Sequence, residues 1–162
     1  MKFDRKILPD TNYLPKFITK KRLHEDEIDF DRLRSYRLDR VKKELAKRDI
    51  GACILFDPVN VRYALDTTNM SIYNMHNLTR YCFIPVSGPV ILYEYFNCGH
   101  LAKHLTLIDE IRQGITWDYF SVGDQVENQL KKWTGEVENL MNLHCGKNKR
   151  LVVDVCNGPG IL

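Results

Sequence analysis

Hydrophobic positions along the chain fall into short runs and one-sided stripes separated by polar stretches. Across residues 30–49, Leu38, Val41 and Leu45 recur at i, i+3, i+7, with Leu33 and Ala46 near the same side, which predicts an amphipathic helix. Asp29 or Asp31 suits its start, and Gly51 just past its end suits a C-terminal stop. Ala52-Cys53-Ile54-Leu55-Phe56 is a continuous apolar run, as in a strand buried on both faces. Asp57-Pro58-Val59-Asn60 reads as a turn and residues 59–65 as a short helix. Residues 81–86 and 90–95, joined through Ser87-Gly88-Pro89, predict a β-hairpin. Residues 97–107 are helix-like, and residues 110–119, with Ile111, Ile115, Trp117 and Tyr119, predict a strand. From Gly123 or Asp124 to about Leu143, the residues Val126, Leu130, Trp133, Val137, Leu140 and Met141 share one side of a second long helix. Residues 151–156 predict a final strand and residues 157–160 a turn.

Two segments lack such a pattern. Residues 1–29 contain Pro9 and Pro15, and Leu8, Tyr13, Leu14, Phe17 and Ile18 form no face, so an extended arm is expected there. Residues 66–79 are polar, rich in Asn and Thr, and predict a loop long enough to raise the question of function. The remaining alternation of strand, helix, hairpin, helix, strand, helix and strand argues an α/β fold, with a mixed β-sheet flanked by helices over residues 30–162.

Composition narrows the function classes. The 162 residues suffice for one domain with a full core, and 44% hydrophobic and 28% charged residues are ordinary for a globular chain. Residues 1–50 carry 15 Lys and Arg against 10 Asp and Glu. Acids interleave with those bases, as in Lys20-Lys21-Arg22 followed by Glu25-Asp26-Glu27, so a solvated face and arm are expected rather than a nucleic-acid surface. The Arg34, Arg37 and Arg40 stripe reads likewise, with its stems along the core edge. No apolar run approaches the ~18 residues that cross a bilayer, so no membrane partner is expected. The five cysteines are odd in number, widely spaced and form no CxxC, which suits a reducing, cytoplasmic setting.

Catalytic signatures are sparse. His100 and His104 stand at i, i+4, but Leu101 occupies the place of the Glu in an HExxH helix and no third ligand is apparent. Gly158-Pro159-Gly160 follows a strand, as a phosphate loop does, yet Pro159 removes a backbone N–H and the P-loop Lys is missing. No GxSxG elbow occurs. The exception is the stretch holding Asn69, Met70, Tyr73, Asn74, His76, Asn77 and Arg80, which concentrates hydrogen-bonding side chains between two apolar elements. Such groups either satisfy an irregular backbone or line a site for a polar ligand or a partner subunit.

A family resemblance enters through specific residues. Arg37-Leu38, Arg40-Val41, Leu45-Ala46 and Ile50-Gly51-Ala52, then a strand, then Asp57-Pro58, Asn60 and Val61-Arg62-Tyr63, resemble the N-terminal domain of creatinase/prolidase enzymes, the Xaa-Pro peptidases of pita-bread fold. Asn69-Met70, Asn74, His76-Asn77, Arg80-Tyr81 and Gly88-Pro89 look like a subgroup of that family in which members resembling dimethylsulfoniopropionate lyases share a similar loop. The resemblance implies a mixed α/β domain that precedes a pita-bread domain carrying a two-metal site of two Asp, one His and two Glu. None of those ligands maps onto this chain, so no cofactor is expected within it and two divalent metal ions are expected in the absent C-terminal domain. The implied role is a non-catalytic domain of a dinuclear Xaa-Pro peptidase-like metallohydrolase, here truncated, that forms a homo-oligomeric dimer and reaches the mouth of a neighbouring active site. The alternatives are the same domain of a dimethylsulfoniopropionate lyase-like member, or a self-standing interaction module. The residues nominated for substrate or subunit contact are Asn69, Asn74, His76, Asn77 and Arg80, with Tyr63 and Tyr73 as lining groups; none is nominated as catalytic or as a metal ligand.

Overall fold

The computed structural model describes residues 28–156 and 158–161. The expected N-terminal arm lies, up to residue 27, outside the described residues. Residues Asp31–Leu162 form one compact unit. Its chain order is α1 (Phe30–Lys47), β1 (Ala52–Leu55), α2 (Pro58–Leu65), α3 (Ser71–His76), β2 (Tyr81–Pro85), β3 (Ile91–Glu94), β4 (Glu110–Gln113), α4 (Tyr119–Val122), α5 (Val126–His144), β5 (Leu151–Val153) and α6 (Gly158–Ile161). The five strands make one mixed sheet in the order β4-β3-β2-β1-β5. The β1–β2 and β2–β3 pairs are antiparallel, and the outer pairs β3–β4 and β1–β5 are parallel. This is the expected α/β class.

Period-2 alternation in the strands divides the core into two faces. Ala52, Ile54, Phe56, Tyr81, Phe83, Ile91 and Tyr93 point to one face, where Trp133, Val137, Leu140 and Met141 of α5 cover them. Tyr81 stacks on Tyr93, its register partner, at 4.4 Å, and Phe56, Trp117 and Trp133 extend that aromatic cluster. Cys53, Cys82, Ile84 and Leu92 point to the other face, under Leu38 and Leu45 of α1 and Val61, Ala64 and Leu65 of α2. Large side chains such as Trp133 and Leu140, buried here, typically stabilise a fold by roughly 1.5–3 kcal/mol each.

Local chemistry sets the boundaries. α1 ends where Asp49 enters the left-handed region at φ 54. Gly51 therefore has a role different from the expected helix stop: a Cβ there would overlap the Asn148 carbonyl oxygen, so it lets the start of β1 pass that backbone closely. Asp57 caps α2 by accepting from Val59 N at 2.8 Å and Asn60 N at 3.1 Å, and Pro58 takes a first-turn position that needs no N–H, so the expected turn and helix are one element. Asp154, just past β5, accepts from Phe56 N at 2.8 Å, Asp57 N at 3.1 Å and Asn60 Nδ2 at 3.0 Å, tying β5 to the end of β1.

Five expectations are corrected. The 66–79 loop contains the short helix α3. Residues 97–107 form only one 3-10 turn, Gly99–Leu101, beside Asn97 at φ 60, so His100 and His104 share no helical face. Ala102 and Leu105 of that segment still reach the core, which explains the helix-like spacing. The 110–119 strand is regular only over β4, because β3 ends at Glu94; beyond it Ile115 and Trp117 continue into the core outside the regular strand. The last strand stops at Val153, where the Asp154 side chain turns to the backbone just past β1, and residues 158–160 of the expected turn belong to α6.

Candidate functional site

The polar stretch after α2 is built on a buried ion pair. Arg80, immediately before β2, and Glu94, the last residue of β3, meet at 2.6 Å with both side chains 1% exposed. The hairpin register places them: Tyr81 pairs with Tyr93, so the residues one step outward face each other. Arg80 Nη2 donates to Thr67 Oγ1 at 3.0 Å. The second carboxylate oxygen of Glu94 accepts from Asn69 Nδ2 at 3.0 Å and from the Tyr95 backbone N–H at 3.1 Å. Every group around Glu94 in this set donates, which suits an acceptor-only carboxylate.

This base holds α3. The Asn74 amide donates to the Asn69 carbonyl, and Asn74 Oδ1 is buried with no hydrogen-bond partner among the described residues. Asn77 Nδ2 donates to Tyr73 Oη at 3.1 Å and to Ser121 Oγ of α4 at 3.2 Å. Asn77 Oδ1 accepts from the Thr79 backbone N–H at 3.0 Å and from the Thr79 hydroxyl. Tyr95 Oη donates to the Asn77 carbonyl at 3.3 Å, and its ring lies 5.7 Å from that of Tyr73. Burial, and then the neighbouring Tyr73, push the Tyr95 phenol well above its ordinary range. Gly114 completes the packing, since a Cβ there would overlap the Thr79 carbonyl oxygen.

The nominated residues thus divide. Asn69, Asn74, Asn77 and Arg80 come together in the interior as the frame of the segment. Tyr73 and His76 stand on the outer side of α3 and are exposed. Tyr63 is not part of this arrangement: it belongs to α2, under the guanidinium of Arg37 at 5.6 Å. The outer side of α3 is apolar, with Ile72 79% and Met75 65% exposed, and Met70 exposed just before it. Sequence reasoning missed Glu94, Thr67, Tyr95 and Ser121. A signal for Glu94 was present: one carboxylate closes an otherwise apolar run, as far from the hairpin turn as Arg80 on the other side.

As chemistry, the arrangement offers a rigid polar base and an outward surface of tyrosine, imidazole and apolar groups. Among the described residues no three His, Cys, Asp or Glu gather as a metal site. Among them, too, no helix is long and apolar enough to cross a membrane.

No family model matches the chain. Over 126 residues, 78% of the chain, it is 36% identical to the dimethylsulfoniopropionate lyase DddP of Roseovarius nubinhibens. It is 32% identical over 126 residues to the dimethylsulfoniopropionate lyase DddP of Roseobacter denitrificans. In both cases the matched region spans 28% of the relative's own length.

Proposed function

We propose that this chain is part of a dimethylsulfoniopropionate lyase-like enzyme, in which it supplies a docking and lining surface and not the reacting groups. The similarity to two lyases over most of the chain carries this reading. The relatives lend no support to the peptidase-type hydrolase that the creatinase/prolidase resemblance first suggests. The geometry around α3 favours a surface role. Its amides turn inward and its apolar and aromatic groups outward, and an exposed apolar surface of this kind marks a place where something docks. In this reading the covering partner is a second subunit of a dimer, and Tyr73 and His76 line the mouth of the neighbouring active site.

The substrate class suits such groups. A sulfonium compound that also bears a carboxylate presents a soft cation and an anion. A tyrosine ring face attracts the cation, and an imidazole N–H can donate to the carboxylate. The two divalent ions implied by the family resemblance do not fit the residues described: His76 is the only His, Cys, Asp or Glu on α3, Asn77 Oδ1 is taken by Thr79, and the buried amide oxygen left over, that of Asn74, is a single neutral donor atom. Any such ions belong to other parts of the enzyme.

The test is expression of the complete open reading frame, followed by assay of dimethyl sulfide release from dimethylsulfoniopropionate and of proline release from Xaa-Pro dipeptides. Dimethyl sulfide without proline is the expected result; proline without dimethyl sulfide overturns the lyase reading. In the active enzyme, His76→Ala should raise KM severalfold without changing the unfolding midpoint, and Tyr73→Ala should raise it likewise with some loss of stability, since its hydroxyl accepts from Asn77 and its ring packs on Tyr95. Unchanged kinetics in both variants would remove the lining role while leaving the lyase assignment intact.

A further inference from the structure

The face of the sheet covered by α1 and α2 is not closed over β5. A groove of about 560 Å³ lies there. Cys53, Leu55 and Val152 from β1 and β5 line it, with Val41 and Leu45 of α1. Val152 is 40% exposed on a strand that, among the described residues, pairs only with β1. Charged side chains follow the same side of α1: Arg40, Glu44 and Arg48 also line the groove. Arg37 stands one turn earlier, over Tyr63, itself a lining residue. Glu44 is ion-paired with Arg48, and that guanidinium holds its carboxyl below the usual range. Arg37 and Arg40 have no carboxylate partner among the described residues, whereas Arg34 on the same helix pairs with Asp66 and Asp31.

We propose that this groove receives an amphipathic helix from a binding partner, with its apolar stripe on Leu55 and Val152 and an acidic flank against Arg37 and Arg40. Three observations select that occupant. Helices form the layer on this face of the sheet, and the groove is the part of that layer left open beside α1. Positions 37, 40, 44 and 48 follow the three- and four-residue spacing of a raised row on one side of α1, of the kind that a groove of a neighbouring helix receives. The row spans about 16 Å, three turns of a partner. Charge settles the flank: with Glu44 already paired, the unneutralised side chains are both arginine. A second copy docking through the same face would set arginine row against arginine row. An added strand would find only three residues of β5 to pair with.

The experiment uses the 162-residue chain with labelled methyl groups and two synthetic 16-residue helical peptides. Both carry the same leucine stripe, one flanked by glutamates and one by lysines. The glutamate peptide should shift the methyl signals of Leu55 and Val152 and bind at least tenfold tighter than the lysine peptide. Arg40→Glu, an exposed position, should reverse that preference. Equal binding of the two peptides, or no shift at Leu55 and Val152, overturns the proposal. So does concentration-dependent dimerisation that Val152→Glu breaks and Arg40→Glu leaves intact, which would give the groove to a second copy.

Discussion

Glu94 is the residue on which the candidate site turns. It lies in the interior against one guanidinium, one side-chain amide and one backbone N–H, all donors. Removing one partner of such a pair leaves an uncompensated buried charge, which typically costs 3–5 kcal/mol. Glu94→Gln should therefore cost about 3 kcal/mol in urea unfolding, because a glutamine cannot accept from all three donors and turns an N–H toward at least one of them. A loss under about 1 kcal/mol would show that the frame does not depend on this carboxylate. The contrast is Glu110, which grips Arg112 with both oxygens at 2.7 Å yet is 48% exposed; solvent limits such a pair to under about 1 kcal/mol. Arg80 stood out in the sequence as the last of a cluster of hydrogen-bonding side chains between two apolar elements. Its partner did not, because a single carboxylate at a strand end reads as a solvated boundary until the hairpin is folded and the two positions are seen to coincide.

Among the elements, α3 is the clearest case of a helix that sequence periodicity concealed. Its polarity is inverted: Asn74 is buried while Ile72 and Met75 face outward, so a search for an apolar inner stripe finds none. Six residues are far too few for a self-sustaining helix, and Met70 before it, at φ 26, supplies no capping side chain. Its persistence rests on Asn74, which holds the Asn69 carbonyl, and on Asn77, whose bonds to Ser121 and Tyr95 are tertiary contacts invisible to local pattern. The long helices were legible for the opposite reason. In α5 the residues Trp133, Val137, Leu140 and Met141 make a conventional inner stripe, and the predicted bounds fall within a few residues of those found. Asn77→Ala removes the acceptor for two Thr79 groups and the donor to Tyr73 and Ser121. Amide hydrogen exchange across residues 70–79 should then accelerate at least tenfold, with β2 and β3 unchanged. A uniform acceleration over the whole domain would mean that α3 is not a separately anchored unit.

For the whole molecule, the sheet's two faces differ in what they bury: an aromatic cluster under α5, and aliphatic residues with two cysteine thiols under α1 and α2. Hydrophobic alternation made the two-faced sheet readable, whereas the inward alignment of Cys53 and Cys82 depends on the β1–β2 register, which pairs Cys53 with Ile84 and Leu55 with Cys82. That alignment makes the domain's stability depend on alkaline pH. Burial pushes the Cys53 thiol up to about 12, and burial raises Cys82 well above its ordinary value. In the unfolded chain both thiols ionise at about 8.5. Since the folded values are raised, the stability tied to keeping these thiols protonated is complete below that point. It is lost as pH climbs toward the folded values, by up to about 1.4 kcal/mol per pH unit for each thiol. Urea midpoints measured under reducing conditions should therefore be level from pH 7 to 8 and fall steadily between pH 9 and 10.5. The paired variant Cys53→Ala, Cys82→Ala should start lower, because it leaves small cavities, yet fall less steeply over the same interval. Below pH 9 the native thiols should also resist iodoacetamide that labels them once urea is added, since the reactive form is the thiolate and it forms only on exposure. A variant whose slope matches that of the parent would place the alkaline loss on other groups, the buried tyrosines of the opposite face being the first to examine.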